Sequence, residues 1–198
     1  SFGKVAAFSF NGNKIVTSGG GGAITTNNIT IGERAKFLTT TAKQPHPYEY
    51  IHNELGYNYR MPNLNAALAC AQLEQLSKFI EYKRSLANRY KNFFTKKGIK
   101  FREETKNTKS NYWLMCVELN NFEEREMFLK KTNSNNVITR PIWKTMNNLE
   151  MYKNCQKDEL LNTRILEKTI VNIPSSVKLW LKHLKLVILL TGLGHTTL

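Results

Sequence analysis

Acidic side chains are scarce in this chain: 15 Asp and Glu face 29 Lys and Arg, a net charge of +14. Cysteine is scarcer, with only Cys70, Cys116 and Cys155, no Cys-x-x-Cys pair and no histidine at zinc-ligand spacing. A disulfide scaffold and a zinc site are thereby excluded, and reduced thiols in a cytoplasmic protein fit best. Long apolar runs are missing too. A stretch such as Leu186 to Leu190 falls far short of the roughly 20 residues a membrane-spanning helix needs, so no membrane partner is expected. No repeat of fixed period is present. The basic residues lie scattered, as in Lys96-Lys97 and Lys130-Lys131, without a block of like charge. They read either as a lysine-rich solvated surface or as a weak pull on nucleic acid or phosphorylated ligands. The chain opens at Ser1 without a charged-then-apolar leader and reads as a fragment.

What is present suggests an α/β opening and an α+β continuation. Val5 to Phe10 and Ile15 to Thr17 read as strands around the polar turn Asn11-Gly12-Asn13, and Ala23 to Thr25 resumes after Gly19 to Gly22. A short helix is expected around Gly32 to Lys36, then a loop with Pro45, His46 and Pro47 that ends at Pro62. Asn63 reads as an N-cap, and Leu64, Leu68, Leu73, Leu76 and Ile80 mark one long helix to about Phe94. Its small residues from Ala66 to Ala71 suit a buried, closely packed start. Asn111 to Leu119 reads as a strand covered on both sides, with Trp113, Met115 and Val117 on one face. Asn121 to Lys131 and Asp158 to Lys168 read as helices, Val137-Ile138 and Ile170 to Ile173 as strands. The domain boundary is expected near Ser77.

Two clusters could carry chemistry. Lys14 follows a polar turn, with Ser9 five residues earlier in a strand flanked by Phe8 and Phe10. A desolvated lysine is more often neutral and able to attack a carbonyl, as Schiff-base chemistry requires; the plain alternative is a solvated surface lysine. A nucleotide P-loop is excluded because the lysine precedes the glycines and no helix follows directly. The glycines can equally mark a chain crossing that tolerates no side chain. In Gly56-Tyr57-Asn58-Tyr59-Arg60-Met61-Pro62, Asn58 and Arg60 alternate with aromatics and could both address one phosphate; an aromatic-packed loop with a surface arginine is the other reading. His46 and His52 read as solvated loop histidines, Trp143 and Tyr152 as core, and no metal site is expected.

These segments together resemble a known family. Phe8-Ser9-Phe10-Asn11-Gly12-Asn13-Lys14 with Thr17-Ser18-Gly19-Gly20-Gly21-Gly22, then Gly56 to Ala67 and Gln72-Leu73-Glu74-Gln75-Leu76, look like the DegT/DnrJ/StrS family of pyridoxal-phosphate-dependent nucleotide-sugar aminotransferases. Ser110 to Leu114, Thr139 to Trp143 and Asn172 to Ser176 resemble its branch acting on 4-keto-6-deoxy N-acetylhexosamines toward legionaminic acid or bacillosamine. The resemblance covers about Ser1 to Lys178.

The resemblance implies a fold-type I PLP-dependent aminotransferase, α/β, with a partial large domain (1–77) followed by a small α+β C-terminal domain (78–178). It implies a homodimer, pyridoxal 5′-phosphate as cofactor, a nucleotide-sugar substrate, glutamate as amino donor, and neither nucleic acid nor membrane as partner. Lys14 would hold the cofactor and shuttle the proton, Ser9 would bind its phosphate, and Asn58 and Arg60 would reach the phosphate of the neighbouring subunit's cofactor. Two features depart from the pattern. Gly20 stands where the family often has Glu, a branch difference. Residues 179–198, apolar and basic with no acid, do not look like the family and read as a reading-frame change or an unrelated extension. The family residues that hold the pyridine ring lie upstream of this chain, and no Asp precedes Lys14. Activity of the chain alone is therefore expected to be impaired. The alternatives are an inactive dimerisation remnant and a basic nucleic-acid-binding module.

Overall fold

The structure, a computed structural model, describes residues 3–177. The chain divides into two compact units, Ser1–Met115 and Cys116–Leu198. Residues 179–198, read above as an unrelated extension, lie outside the described residues. No helix among the described residues is long and apolar enough to cross a membrane.

The first unit opens with β1 (Ala6–Ser9) antiparallel to β2 (Gly22–Thr25), in a register that pairs Ala6 with Thr25 and Ser9 with Gly22. Only Gly fits at position 22: a Cβ there would lie 2.3 Å from the Phe8 carbonyl oxygen, the close crossing that the glycine run suggested. Ile15 to Thr17 is not a strand. The chain folds back instead, with the Phe10 amide donating to the Gly21 carbonyl and the Ser18 amide to the Phe10 carbonyl, each at 3.0 Å.

The expected short helix is longer, α1 (Ile29–Thr39), because Asn28 caps it by accepting from the Ile31 amide at 3.1 Å. The single long helix expected from Asn63 is two, α2 (Asn63–Glu74) and α3 (Leu76–Thr95). The break has a local cause. The Gln75 side-chain amide donates to the Ala71 carbonyl at 3.2 Å, the acceptor its own backbone would take in an unbroken helix, while its backbone N–H turns to Gln72 and Leu73. Asn63 is the first helical residue rather than the cap, which is Pro62. The small-residue start of α2 is not buried: only Ala69 is, and Leu64 is 86% exposed. Phe79, Ala87 and Phe94 of α3 form the core with Phe101 of β3 (Lys100–Phe101).

The second unit continues from β4 (Met115–Glu118) through α4 (Phe122–Ser134), β5 (Arg140–Pro141), α5 (Leu161–Thr169) and β6 (Ile170–Ile173). Its strands lie in the order β4, β6, β5, with β5 and β6 antiparallel. Val117, Leu119, Ile170, Val171 and Ile173 are buried, which the apolar sequence pattern anticipated. Asn121 caps α4 by accepting from the Glu124 amide at 2.8 Å, and Glu124 reaches back to the Asn120 amide at 3.3 Å. Three expectations are corrected. Val137-Ile138 is not a strand, because the Val137 amide closes the end of α4 on the Thr132 carbonyl. Trp143 and Tyr152 are exposed rather than core, since they lie in an irregular and short-turn segment outside the sheet. The strand expected over Asn111 to Leu119 shrinks to β4, for reasons that bear on the site.

Candidate active site

Ser9 ends β1, and the turn that follows brings the chain back to Lys14, whose amide donates to the Asn11 carbonyl at 3.0 Å. Ser9 Oγ accepts from the Asn11 amide at 3.3 Å. A hydroxyl and a primary amine therefore bracket one tight turn. The following segment is pinned by its own side chains: Thr17 Oγ1 donates to the Phe10 carbonyl at 3.1 Å and accepts from the Gly19 amide at 2.9 Å. Ser18, fully buried, donates to the Gly20 carbonyl at 2.5 Å, and Asn65 of α2 donates its side-chain amide to the Ser18 carbonyl at 2.6 Å. That bond ties the two motif regions together.

Lys14 is half-buried. The aromatic face against its ammonium is Trp113, with Nζ 3.5 Å from the ring centroid, while the neighbouring Phe8 is more than half exposed. Trp113 also donates its indole N–H to the Asn13 carbonyl at 2.7 Å. Among the described residues no carboxylate is paired with Lys14.

Trp113 was expected on a strand face beside Met115, and the structure places it differently. Asn111 Oδ1 accepts from the Trp113 amide and Ser110 Oγ from the Tyr112 amide, each at 3.0 Å, and Tyr112 takes a left-handed φ of 49°. Side chains satisfy the backbone here, so no ladder forms. Arg84 of α3 holds this segment in turn: it binds both Glu104 carboxylate oxygens, at 3.0 and 2.7 Å, and donates to the Ser110 carbonyl at 2.7 Å. Glu104 also accepts from the Ser110 amide at 2.6 Å, and the Arg84 and Ser110 donors together hold its carboxyl at about 2.

Asn58 and Arg60 stand on a second element. The segment carrying them runs beside the end of α1, the Tyr57 amide donating to Leu38 at 2.7 Å and the Tyr59 amide to Thr39 at 3.0 Å, with Asn58 bridged to Thr40. Gly56 makes the approach possible, since a Cβ would sit 2.3 Å from the Ala42 nitrogen. Tyr57 and Tyr59 stack with centroids 5.1 Å apart, and the alternation that stacks them gives Asn58 and Arg60 the other side. Arg60 is exposed, makes no ion pair among the described residues, and lines an open cavity of about 840 Å³ with Gly19 to Gly22, Lys36 and Asn65. Ser9 and Lys14 do not line it. The structure thus brings Ser9 to Lys14 and Asn58 to Arg60, and does not gather all four on one wall.

His46 and His52 serve their loop: His46 Nδ1 accepts from the Glu49 amide and His52 Nδ1 meets the Thr41 carbonyl, both at 2.8 Å. Among the described residues no group of three or more His, Cys, Asp or Glu could hold a metal ion. The donors that are present, an exposed hydroxyl and a lysine amine on one turn and a guanidinium without a carboxylate partner on another, are what a phosphorylated aldehyde requires. By donor type they suit pyridoxal phosphate.

Comparison with known proteins reaches the same chemistry. The chain is 36% identical over 153 residues to EpsN of Bacillus subtilis (strain 168), covering 77% of this chain and 39% of that protein. It is 35% identical over 152 residues to the GDP-perosamine synthase of Escherichia coli O157:H7, covering 77% and 41%. It thus spans less than half the length of these relatives. Among solved structures, the PLP form of the sugar aminotransferase Spr1654 from Streptococcus pneumoniae matches with a TM-score of 0.78 at 21% identity, covering 92% of this chain and 49% of that one. At that identity the likeness speaks for the fold, that of part of a fold-type I PLP-dependent aminotransferase. The family match spans residues 1–190, past Lys178 and into the tail thought unrelated. With the turn, the glycine crossing and the Asn58–Arg60 segment all lying inside that span, the chain belongs to the DegT/DnrJ/EryC1/StrS aminotransferase family, whose cofactor is pyridoxal phosphate.

Proposed function

We propose that the chain serves PLP-dependent transamination of a nucleotide-linked 4-keto-6-deoxyhexose, with glutamate as amino donor, in the making of a surface polysaccharide or nonulosonic acid. The observation that carries this reading is the single turn with Ser9 at one end and Lys14 at the other. Ser9 Oγ would hold the cofactor phosphate, and Lys14 Nζ would hold the cofactor at its aldehyde and supply the base that moves a proton at the reacting carbon. The bound cofactor supplies the electron sink for carbanion chemistry. Asn58 and Arg60 would serve the phosphate in the neighbouring subunit of a homodimer, a reading supported by Arg60 lining a cavity that Lys14 does not. The reading places the domain junction near Ser77, with 1–77 closing the large domain and 78–178 forming the small one, whereas the compact units divide after Met115. The reading places the enzyme in the cytoplasm.

The segments Ser110 to Leu114 and Asn172 to Ser176 favour an N-acetylated acceptor on the legionaminic or bacillosamine side. The relatives named GDP-perosamine synthase favour a GDP-linked sugar. Assaying UDP- and GDP-linked 4-keto sugars side by side separates the two.

The cofactor reading is tested by borohydride reduction with pyridoxal phosphate. A lysine amine that has condensed with the aldehyde, losing water, is fixed as a stable secondary amine and located by peptide mapping. Label concentrated at Lys14 and lost in Lys14→Ala is expected; label scattered over the surface lysines overturns the reading. The shared site has its own test. Lys14→Ala and Arg60→Ala, each poor in cofactor capture alone, should regain about a quarter of the sites when mixed and allowed to exchange subunits, because half the dimers are then hybrids with one site intact. No regain argues that each subunit binds alone.

A further inference from the structure

We propose that Trp113 is a positioning residue for the Lys14 amine, fixing the turn that carries it and holding the amine between reactions. The inference rests on the reading of Lys14 given above and gives a role to Trp113, which that reading assigns none. Trp113 makes two contacts of different chemistry to adjacent residues. Its indole N–H donates to the Asn13 carbonyl at 2.7 Å, and its ring face lies under the Lys14 ammonium, 3.5 Å from Nζ to the centroid. A tryptophan that merely fills space has no reason to aim both its polar edge and its π face at one turn. The indole bond fixes where the turn sits, and the ring face fixes where the amine at its end waits.

The support beneath Trp113 points the same way. Arg84 locks Glu104, Glu104 and Arg84 lock both backbone groups of Ser110, and Asn111 fixes the Trp113 amide. The ring is thus carried on α3 through a chain of charged and local hydrogen bonds rather than on a loop free to drift. Lysine has four rotatable bonds and a strongly hydrated head. Without the ring, a released Lys14 amine would spend its time in solvent. With it, the amine stays in one place when it is not bonded to cofactor, and the next capture begins from a short list of conformations.

The experiment times the capture of pyridoxal phosphate at Lys14, quenching with borohydride and mapping the label, in the full chain and in Trp113→Leu and Trp113→Phe, with thermal unfolding as a check that each variant folds. Trp113→Leu should capture roughly fivefold more slowly at unchanged final labelling. Trp113→Phe, which keeps a ring face and loses the indole bond, should recover part of that loss. A leucine variant that captures as fast as the unaltered chain, with Lys14 still labelled, overturns the positioning role and leaves the cofactor reading standing. Absence of label at Lys14 in the unaltered chain overturns the cofactor reading itself. A second measurement does not depend on the leucine variant folding. The indole N–H resonance of Trp113, assigned by its loss in Trp113→Phe, should resist exchange with water and should shift in Lys14→Met. Free exchange and no shift overturn the proposal.

Discussion

Two regions of this chain are opposites in where they spend their apolar side chains. In the stretch from β1 to α2, which carries nearly every residue with a chemical role, Phe8 is 54% exposed, Ile24 52% and Leu64 86%. In residues 116–177, which carry none of the proposed site, Val117 and Val171 are wholly buried and Ile170 and Ile173 nearly so. The second region has a core of its own. The first is held by hydrogen bonds and close backbone crossings, with apolar faces turned outward. Around the glycines, Thr17, Ser18 and Asn65 give the backbone groups of this chain their partners.

The largest effect expected from this contrast is in the second region. Ile173→Ala should lower stability by about 2–5 kcal/mol through lost burial and a residual cavity, whereas Ile24→Ala should change it by less than about 0.5 kcal/mol. Urea unfolding of the two variants checks this, and equal losses would erase the distinction. Gly56→Ala comes next. Its Cβ would meet the Thr41–Ala42 backbone at 2.3 Å, costing about 1–3 kcal/mol of strain and loosening Tyr57 and Tyr59, seen as faster amide exchange at those two residues than in β6.

The smallest effect is present near neutrality and fades in acid. The Glu104 carboxyl is held at about 2, below its ordinary 4.5. Its contribution to stability is therefore complete above about pH 4.5 and fades as pH falls toward 2, where the folded form also takes up the proton. Glu104→Gln should melt below the unaltered chain near neutrality, with the gap closing across that window. A gap that stays constant to pH 2 would mean that Arg84 does not engage the ionised form.

Much of this was legible in the sequence, and the parts that were not share a cause. The turn from Ser9 to Lys14 was readable because a strand runs into the polar Asn11-Gly12-Asn13, although the strand expected beyond it at Ile15 to Thr17 is absent. Helices α4 and α5 and strand β6 were readable because their apolar spacing matches what the unit buries. The helix break at Gln75 and the shortening of the strand before Met115 both arise where a side-chain amide or hydroxyl takes over a backbone hydrogen bond, at Gln75, Ser110 and Asn111. Apolar periodicity carries no record of that competition. Trp113 was missed for the same reason. Alternation assigned it to a strand face beside Met115, whereas the Asn111 bond and the left-handed Tyr112 turn it toward Lys14. An Asn two residues before the tryptophan was the available sign.

The bond from Trp113 to Asn13 joins residues 100 positions apart, and that from Asn65 to Ser18 joins residues 47 apart. Contacts of such separation close late, since the intervening chain must first be ordered enough to bring them together. During synthesis the lysine turn leaves the ribosome before helix α3 and the segment after it, and stays unclamped until they have emerged. A chain interrupted anywhere between residues 65 and 113 would carry the whole reactive motif, correctly spelled, on a turn still waiting for its ring.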